Sequence, residues 1–261
     1  MKAESFLTTH SLFSRDEFAA ILHERGRSEA TVAAHLARWT RQGRIARVKQ
    51  GVYVRVDTPP RPPDFVALAS RMAPDAAVAF HTALEVHGYA QSLFERLTFV
   101  TATGAKATSF QGRVFMPVRP RAPILNATRG ERWVEWVERA GIEIRVTDLE
   151  RTIVDVLDRP ALAGGLDEVW RSLAQVPAID PTSLQDYVGL LDSKTLAAKL
   201  GFFVESRREE LAVPETLLTW LRSRIPASPV YMDRARRGRL VARWALIVPP
   251  ELHEHPEGER E

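Results

Sequence analysis

The sequence predicts an α+β fold in which a small basic head of helices and a hairpin precedes a larger mixed α/β body. Three observations predict it. Two capped amphipathic helix patterns and one alternating hairpin pattern follow each other within residues 10–56. Four prolines then occupy positions 59, 60, 62 and 63, where neither a helix nor a central strand can continue. Helical and extended patterns alternate after that through residue 248. At 261 residues the chain exceeds one average domain. The expected division is a head over 1–57, a stiff proline-rich linker over 58–63, a body over 64–248 with one small sheet and several helices, and a flexible acidic tail over 249–261.

In the head, Ser14-Arg-Asp-Glu17 is a capping box followed by the apolar positions Phe18, Ile21 and Leu22, and Gly26 ends that helix. A second helix runs from near Ser28 to Gly43. At 100° per residue, Val32, Leu36 and Trp39 fall within about 60° of each other and must face a core. The opposite side carries Ala30, Thr31, Ala34, Ala37, Arg38 and Arg41, with no acid after Glu29. Small residues let a backbone approach a groove floor, and long arginines reach bases or phosphates.

Residues 44–48 and 52–56 then form two strands around Lys49-Gln50-Gly51, where glycine suits a left-handed turn position. The first strand alternates imperfectly, since Ile45 and Val48 are three apart. A hairpin directly behind a helix pair, with Arg47 and Lys49 at its tip, is the wing of a winged helix-turn-helix. The residues expected to meet double-stranded DNA are Arg27, Ser28, Thr31, Ala34, Arg38 and Arg41 of the helix and its approach. Arg44, Arg47, Lys49 and Gln50 join them from the hairpin. Charge supports this: residues 1–56 carry ten Lys/Arg against five Asp/Glu, a net of +5, and the whole chain is +3, so the remaining 205 residues carry −2.

In the body, Phe65, Leu68, Ala69 and Met72 recur at helical spacing, as do Ala77, Phe80, Leu84 and His87. Residues 97–102 read as a strand. Residues 112–118 read as a second, which Pro117 restricts to a sheet edge. Residues 133–140 have helical spacing, with Trp133 and Trp136 as core residues or partner anchors, and residues 142–146 alternate as a strand. Thr147-Asp-Leu-Glu150 reads as a capping box opening a helix with Leu149, Ile153, Val156 and Leu157 inward.

Several segments resemble AbiEi-type antitoxins. They are Gly43-Arg-Ile-Ala-Arg-Val-Lys-Gln-Gly-Val-Tyr53, Ala79-Phe-His-Thr-Ala-Leu-Glu-Val-His-Gly88 and Leu97-Thr-Phe-Val-Thr101. Val146-Thr-Asp-Leu-Glu-Arg-Thr-Ile-Val-Asp155 and Leu196-Ala-Ala-Lys-Leu-Gly-Phe-Phe-Val-Glu205 continue the match in the family's order. The resemblance covers roughly residues 10–205. It implies a winged helix that represses its own operon and a C-terminal domain that neutralises a nucleotidyltransferase-like toxin, directly or indirectly.

Enzyme chemistry finds little support in the residues. Asp148, Glu150, Asp155 and Asp158 could suggest a two-metal nuclease, but the first two sit in the first turn of a helix, where acids favour the dipole. Glu143-Ile-Arg145 lacks the lysine of a restriction-type motif, and arginine supplies no titratable amine. His81 and His87 are six apart, not a helix-face ligand pair, and His87 reads as a satisfied core or cap histidine. His253-Glu-His255 lies in the expected tail. Ala163-Gly164-Gly165 lacks the lysine of a phosphate loop. No catalytic residue, metal site or cofactor is expected. The rival readings are a nuclease targeted by the winged helix and a stand-alone regulator whose body binds a small effector. The arginine run from Arg234 to Arg239, with Arg243, reads either as a solvated turn or as a second polyanion contact. The absence of cysteine, and of any long apolar segment or signal peptide, points to a cytoplasmic protein with no membrane partner.

Overall fold

The computed structural model describes residues 3–126 and 130–252, and the expected His253/His255 pair lies outside them. The α+β class is as expected.

The head begins earlier than the sequence patterns suggested. Helix α1 (Ala3–Thr9) buries Phe6 and Leu7, and strand β1 (Leu12–Ser14) follows it. Ala3, Phe6, Leu7 and His10 have helical spacing, and His10 stacks on Phe6 with ring centroids 4.0 Å apart. Helix α2 (Arg15–His23) opens on the expected capping box: Glu17 N donates to Ser14 Oγ at 3.0 Å, and Ser14 N donates to the Glu17 carboxylate. Helix α3 (Glu29–Arg41) is capped by Ser28 and buries the predicted stripe of Val32, Leu36 and Trp39. Strands β2 (Ile45–Lys49) and β3 (Val52–Arg55) form the hairpin, with Gly51 at φ +79° in its turn. A β-bulge between Arg47 and Lys49 explains the imperfect alternation, because it lets Ile45 and Val48 both be buried. Strand β1 adds to β3, giving a three-stranded sheet in the order β1-β3-β2. Phe6, Phe13, Phe18 and Trp39 fill the core between this sheet and the helices.

The chain continues through α4 (Phe65–Ala69), β4 (Ala77–Val78), α5 (His81–His87) and β5 (Arg96–Val100). It then forms β6 (Thr108–Phe110), β7 (Arg113–Val118), α6 (Ala122–Asn126), β8 (Val134–Arg139) and β9 (Ile142–Thr147). The sheet order is β6-β7-β5-β4-β9-β8. Two expectations are corrected here. Residues 133–140 are not a helix. They form strand β8, because Ala140 (φ +51°) and Gly141 (φ +77°) make a left-handed two-residue turn that returns the chain as β9. Strand β7 is not an edge, since it pairs in parallel with β5 along its whole length. Pro117 is tolerated because Val114 N points towards β5, so by alternation Pro117 faces the β6 side, beyond the last pair, Thr108 with Phe115.

Helix α7 (Leu149–Asp158) follows, but Thr147 does not cap it. Asp148 is the N-cap and accepts from Arg151 N at 2.8 Å, whereas the Thr147 hydroxyl is 2.7 Å from that of Thr152. Helices α8 (Leu166–Leu173), α9 (Pro181–Leu191), α10 (Lys194–Ser206) and α11 (Glu215–Arg222) complete the helical part. Strands β10 (Val230–Tyr231), β11 (Arg239–Val241) and β12 (Leu246–Val248) then form a third sheet in the order β10-β12-β11, where a single small sheet was expected for the body. The expected tail starts too early at 249, because Pro249 and Leu252 are buried.

By compactness the chain divides into one unit of residues 1–78, 95–119 and 137–145 and another of 79–94, 120–136 and 146–261. The division does not fall at the prolines. Within the first unit the Lys49 ammonium donates to the Met72 carbonyl at 2.7 Å, and Arg71 pairs with Glu17 at 3.0 Å, both reaching across the proline-rich segment. Among the described residues no helix is long and apolar enough to cross a membrane.

Candidate nucleic-acid interface

Helix α3 separates its faces cleanly. Val32, Leu36 and Trp39 are buried, while Ala30, Ala34, Ala37, Arg38 and Arg41 are exposed and Thr31 is half-buried. Ser28 and Arg27 are exposed at its start, so the helix N-terminus is open to solvent. Arg47 and Gln50 are exposed on the hairpin, with Arg47 Nε donating to Lys49 O at 3.3 Å.

Three of the ten expected contact residues, Arg38, Arg44 and Lys49, are engaged by partners outside their own cap or hairpin turn. Lys49 turns away from the tip to the Met72 carbonyl, as described above. Arg38 and Arg44 both bind one carboxylate, that of Glu4 on α1. Arg44 Nη1 lies 2.7 Å from Glu4 Oε2, and Arg38 Nη2 lies 3.1 Å from Oε1. The buried Trp39 indole N–H also points at Oε1, 3.4 Å away. The hydrogen bond from Arg44, outweighing some loss of hydration, holds the Glu4 carboxyl below its ordinary value. His35 sits beside Arg38 at 3.3 Å; burial, and then the Arg38 charge, lowers its pKa and keeps the ring neutral.

Helix α1 is itself anchored from the hairpin. Arg55 Nη1 donates to the carbonyls of Leu7 and Thr8, at 3.1 and 2.9 Å, where a cation also suits the negative end of the helix. Glu4 escaped sequence reasoning because it stands 34 residues before Arg38 and 40 before Arg44. The spacing of Ala3, Phe6, Leu7 and His10 was the one available sign that a helix carried it.

The acids considered for nuclease chemistry have other partners. Asp155 is buried between Arg151 Nε, 3.3 Å away, and the Tyr187 hydroxyl, which donates at 2.8 Å. Burial, with the Asp155 carboxylate beside it, pushes the Tyr187 phenol well above its ordinary value, so it remains the donor. Glu150 accepts from Asp180 N, and Asp158 pairs with Arg121. Asp148 is a cap whose carboxyl burial pushes up to about 6.

The two histidines have separate settings. His87 Nε2 donates to the Thr147 carbonyl at 2.8 Å, the satisfied state expected of it. His81 faces Glu168, which also accepts from the amides of Gln91 and Ser92 and from the Ser92 hydroxyl, clamping that loop. Trp133 is buried against Tyr187, while Trp136 is 64% exposed. In the arginine run, Arg236 makes a two-pronged pair with Asp167 at 2.6 Å, and Arg243 reaches Glu205 at 3.1 Å. Arg234, Arg237 and Arg239 are exposed.

No family model and no curated protein matches the chain. A crystal structure of the RV2827C protein from Mycobacterium tuberculosis does. It superposes with a TM-score of 0.58 over 94% of this chain and 89% of that one, at 15% sequence identity. That likeness is one of fold alone.

Proposed function

We propose that residues 3–56 form a winged helix-turn-helix that binds double-stranded DNA, and that the protein is an autorepressor and antitoxin of the AbiEi type rather than an enzyme. The observation that carries the DNA reading is the outer face of α3. It is exposed and free of acids after Glu29, and it combines small residues (Ala30, Ala34, Ala37) with Arg38 and Arg41. A solvated helix face more often alternates acids and bases. The hairpin behind it presents Arg47 and Gln50, as a wing flanking a groove would. The non-enzymatic reading is supported by the acids of α7, whose carboxylates are committed to a cap, a buried ion pair and loop contacts. The antitoxin reading rests on the sequence resemblance.

The test is direct. The full chain is titrated against a duplex from upstream of its own gene and against a scrambled duplex of equal length. The Arg38→Ala, Arg41→Ala double variant is expected to bind the first duplex more weakly, by about 1–3 kcal/mol where Arg41 reads a base edge, with unchanged thermal unfolding. Unaltered binding by that variant at matched salt refutes the interface. Co-expression with a neighbouring nucleotidyltransferase-like protein that arrests growth tests the antitoxin half, and continued arrest refutes it.

A further inference from the structure

Three donors, two on α3 and one in the turn that follows it, converge on the Glu4 carboxylate: Arg44 Nη1 at 2.7 Å, Arg38 Nη2 at 3.1 Å and Trp39 Nε1 at 3.4 Å. Two of them are cationic, and the third belongs to a side chain with no solvent exposure. Arg38 and the indole N–H thus share one oxygen of the anion and Arg44 takes the other, a donor set that also suits the two free oxygens of a phosphodiester. Glu4 is the weakly held part of this arrangement. Its side chain is 55% exposed, against 48% and 40% for Arg38 and Arg44, so the pairs are solvated and contribute little to stability.

We propose that Arg38, Arg44 and Trp39 form a phosphodiester-binding site, and that Glu4 is its built-in competitor, occupying the site until a nucleic-acid backbone phosphate displaces it. The inference rests on the DNA reading of α3 and adds a ligand and a regulator to it. It makes α1 a brake on sequence-independent binding. A phosphate contact carries no base information, so the brake weakens every duplex alike.

The experiment measures the affinity of the full chain for the upstream and scrambled duplexes between 50 and 200 mM salt, as wild type, Glu4→Gln, Arg38→Ala/Arg44→Ala, and the triple variant. Glutamine keeps an acceptor for the Trp39 N–H and removes only the charge. Freeing two exposed pairs is expected to tighten binding to both duplexes about two- to tenfold. The gain is expected to vanish in the Arg38→Ala/Arg44→Ala background, because Glu4 then has nothing to mask.

An equal gain in both backgrounds overturns the proposal, since it marks a general field effect of one lost negative charge. Unchanged or weaker binding by Glu4→Gln overturns it too, making Glu4 a bystander or a brace for the arginines. In all these cases wild-type binding to DNA stands and the DNA reading survives. If the wild type binds neither duplex more tightly than the Arg38→Ala/Arg44→Ala variant, the DNA reading itself fails and the proposal falls with it.

Discussion

Replacing Asp155 by Asn removes one charge and almost no volume, and it separates a structural acid from a catalytic one. Arg151 and Asp155 have side chains only 2% and 5% exposed, and they sit one helical turn apart on α7. The carboxylate receives Arg151 Nε on one oxygen and the Tyr187 hydroxyl on the other, and the guanidinium lies over the Tyr187 ring, 5.8 Å from its centroid. A neutral amide leaves a buried guanidinium without a counter-ion. It also turns an acceptor into a group that presents an N–H to one of two donors. Breaking a buried pair from one side costs about 3–5 kcal/mol, a large part of the stability of an ordinary domain. Removing both charges with apolar residues, Arg151→Met with Asp155→Leu, is expected to cost far less than the two single changes together. Urea unfolding at neutral pH, followed by the chain's tryptophan fluorescence, gives the four stabilities of this cycle and that of Asp155→Asn. A loss below about 1 kcal/mol for Asp155→Asn, or simple additivity of the two changes, refutes the account of this pair. It also returns Asp155 to the pool of acids available for chemistry.

Asp148→Asn keeps a good N-cap but abolishes a titration. The folded value of about 6 lies above the ordinary 3.8, so the stabilising contribution of this group is full below about pH 4 and is lost as pH rises through 6. The wild type should therefore lose about 3 kcal/mol across that window relative to Asp148→Asn, and parallel stability-against-pH curves would contradict this. Gly201→Ala drives a methyl group into the buried ring of Trp244, whose indole N–H is held by Glu205 at 2.7 Å. A loss of about 1–3 kcal/mol is expected by calorimetry, and a wild-type unfolding temperature would show that the ring moves freely. Lys49→Ala should cost about 1–2 kcal/mol of stability and leave the slope of log affinity against log salt unchanged, because its ammonium serves Met72. Arg47→Ala should do the reverse, reducing the slope by about one unit, and exchanged outcomes in the two variants would refute this division of roles.

Local signals in the sequence proved dependable where local physics decides the outcome. The Ser14 capping box, the buried stripe of α3 and the Gly51 turn each depend on residues within a few positions of one another, and each stands as read. Errors arose where the deciding partner was distant. Trp133, Trp136 and Val137 have helical spacing, yet Trp136 and Val137 lie on β8, at the border of the six-stranded order, where pairing with β9 decides the outcome. Pro117 marked a local gap in hydrogen bonding, not an edge, because only the length of β6 decides where that gap lies. The same limit applied to the candidate interface. Residue type and helix face identified Arg38, Arg41 and Arg47 as basic and outward, but nothing near them in sequence indicated that Glu4 holds two arginines or that Lys49 bends to Met72.

The order of strands in the six-stranded sheet has a consequence for synthesis. Strand β4 ends at Val78, but its neighbour β9 is complete only at Thr147, so one flank of β4 waits for about 70 further residues to leave the ribosome. At 5–20 residues per second that is a delay of roughly 4–14 s, long compared with the time a hairpin needs to close. The head can assemble from residues 3–55 early in this interval, while the apolar Ala77-Val78 pair stays half-partnered. A nascent chain stalled between these points would carry a finished head and an open strand, the state in which this protein is most exposed to aggregation and to chaperones.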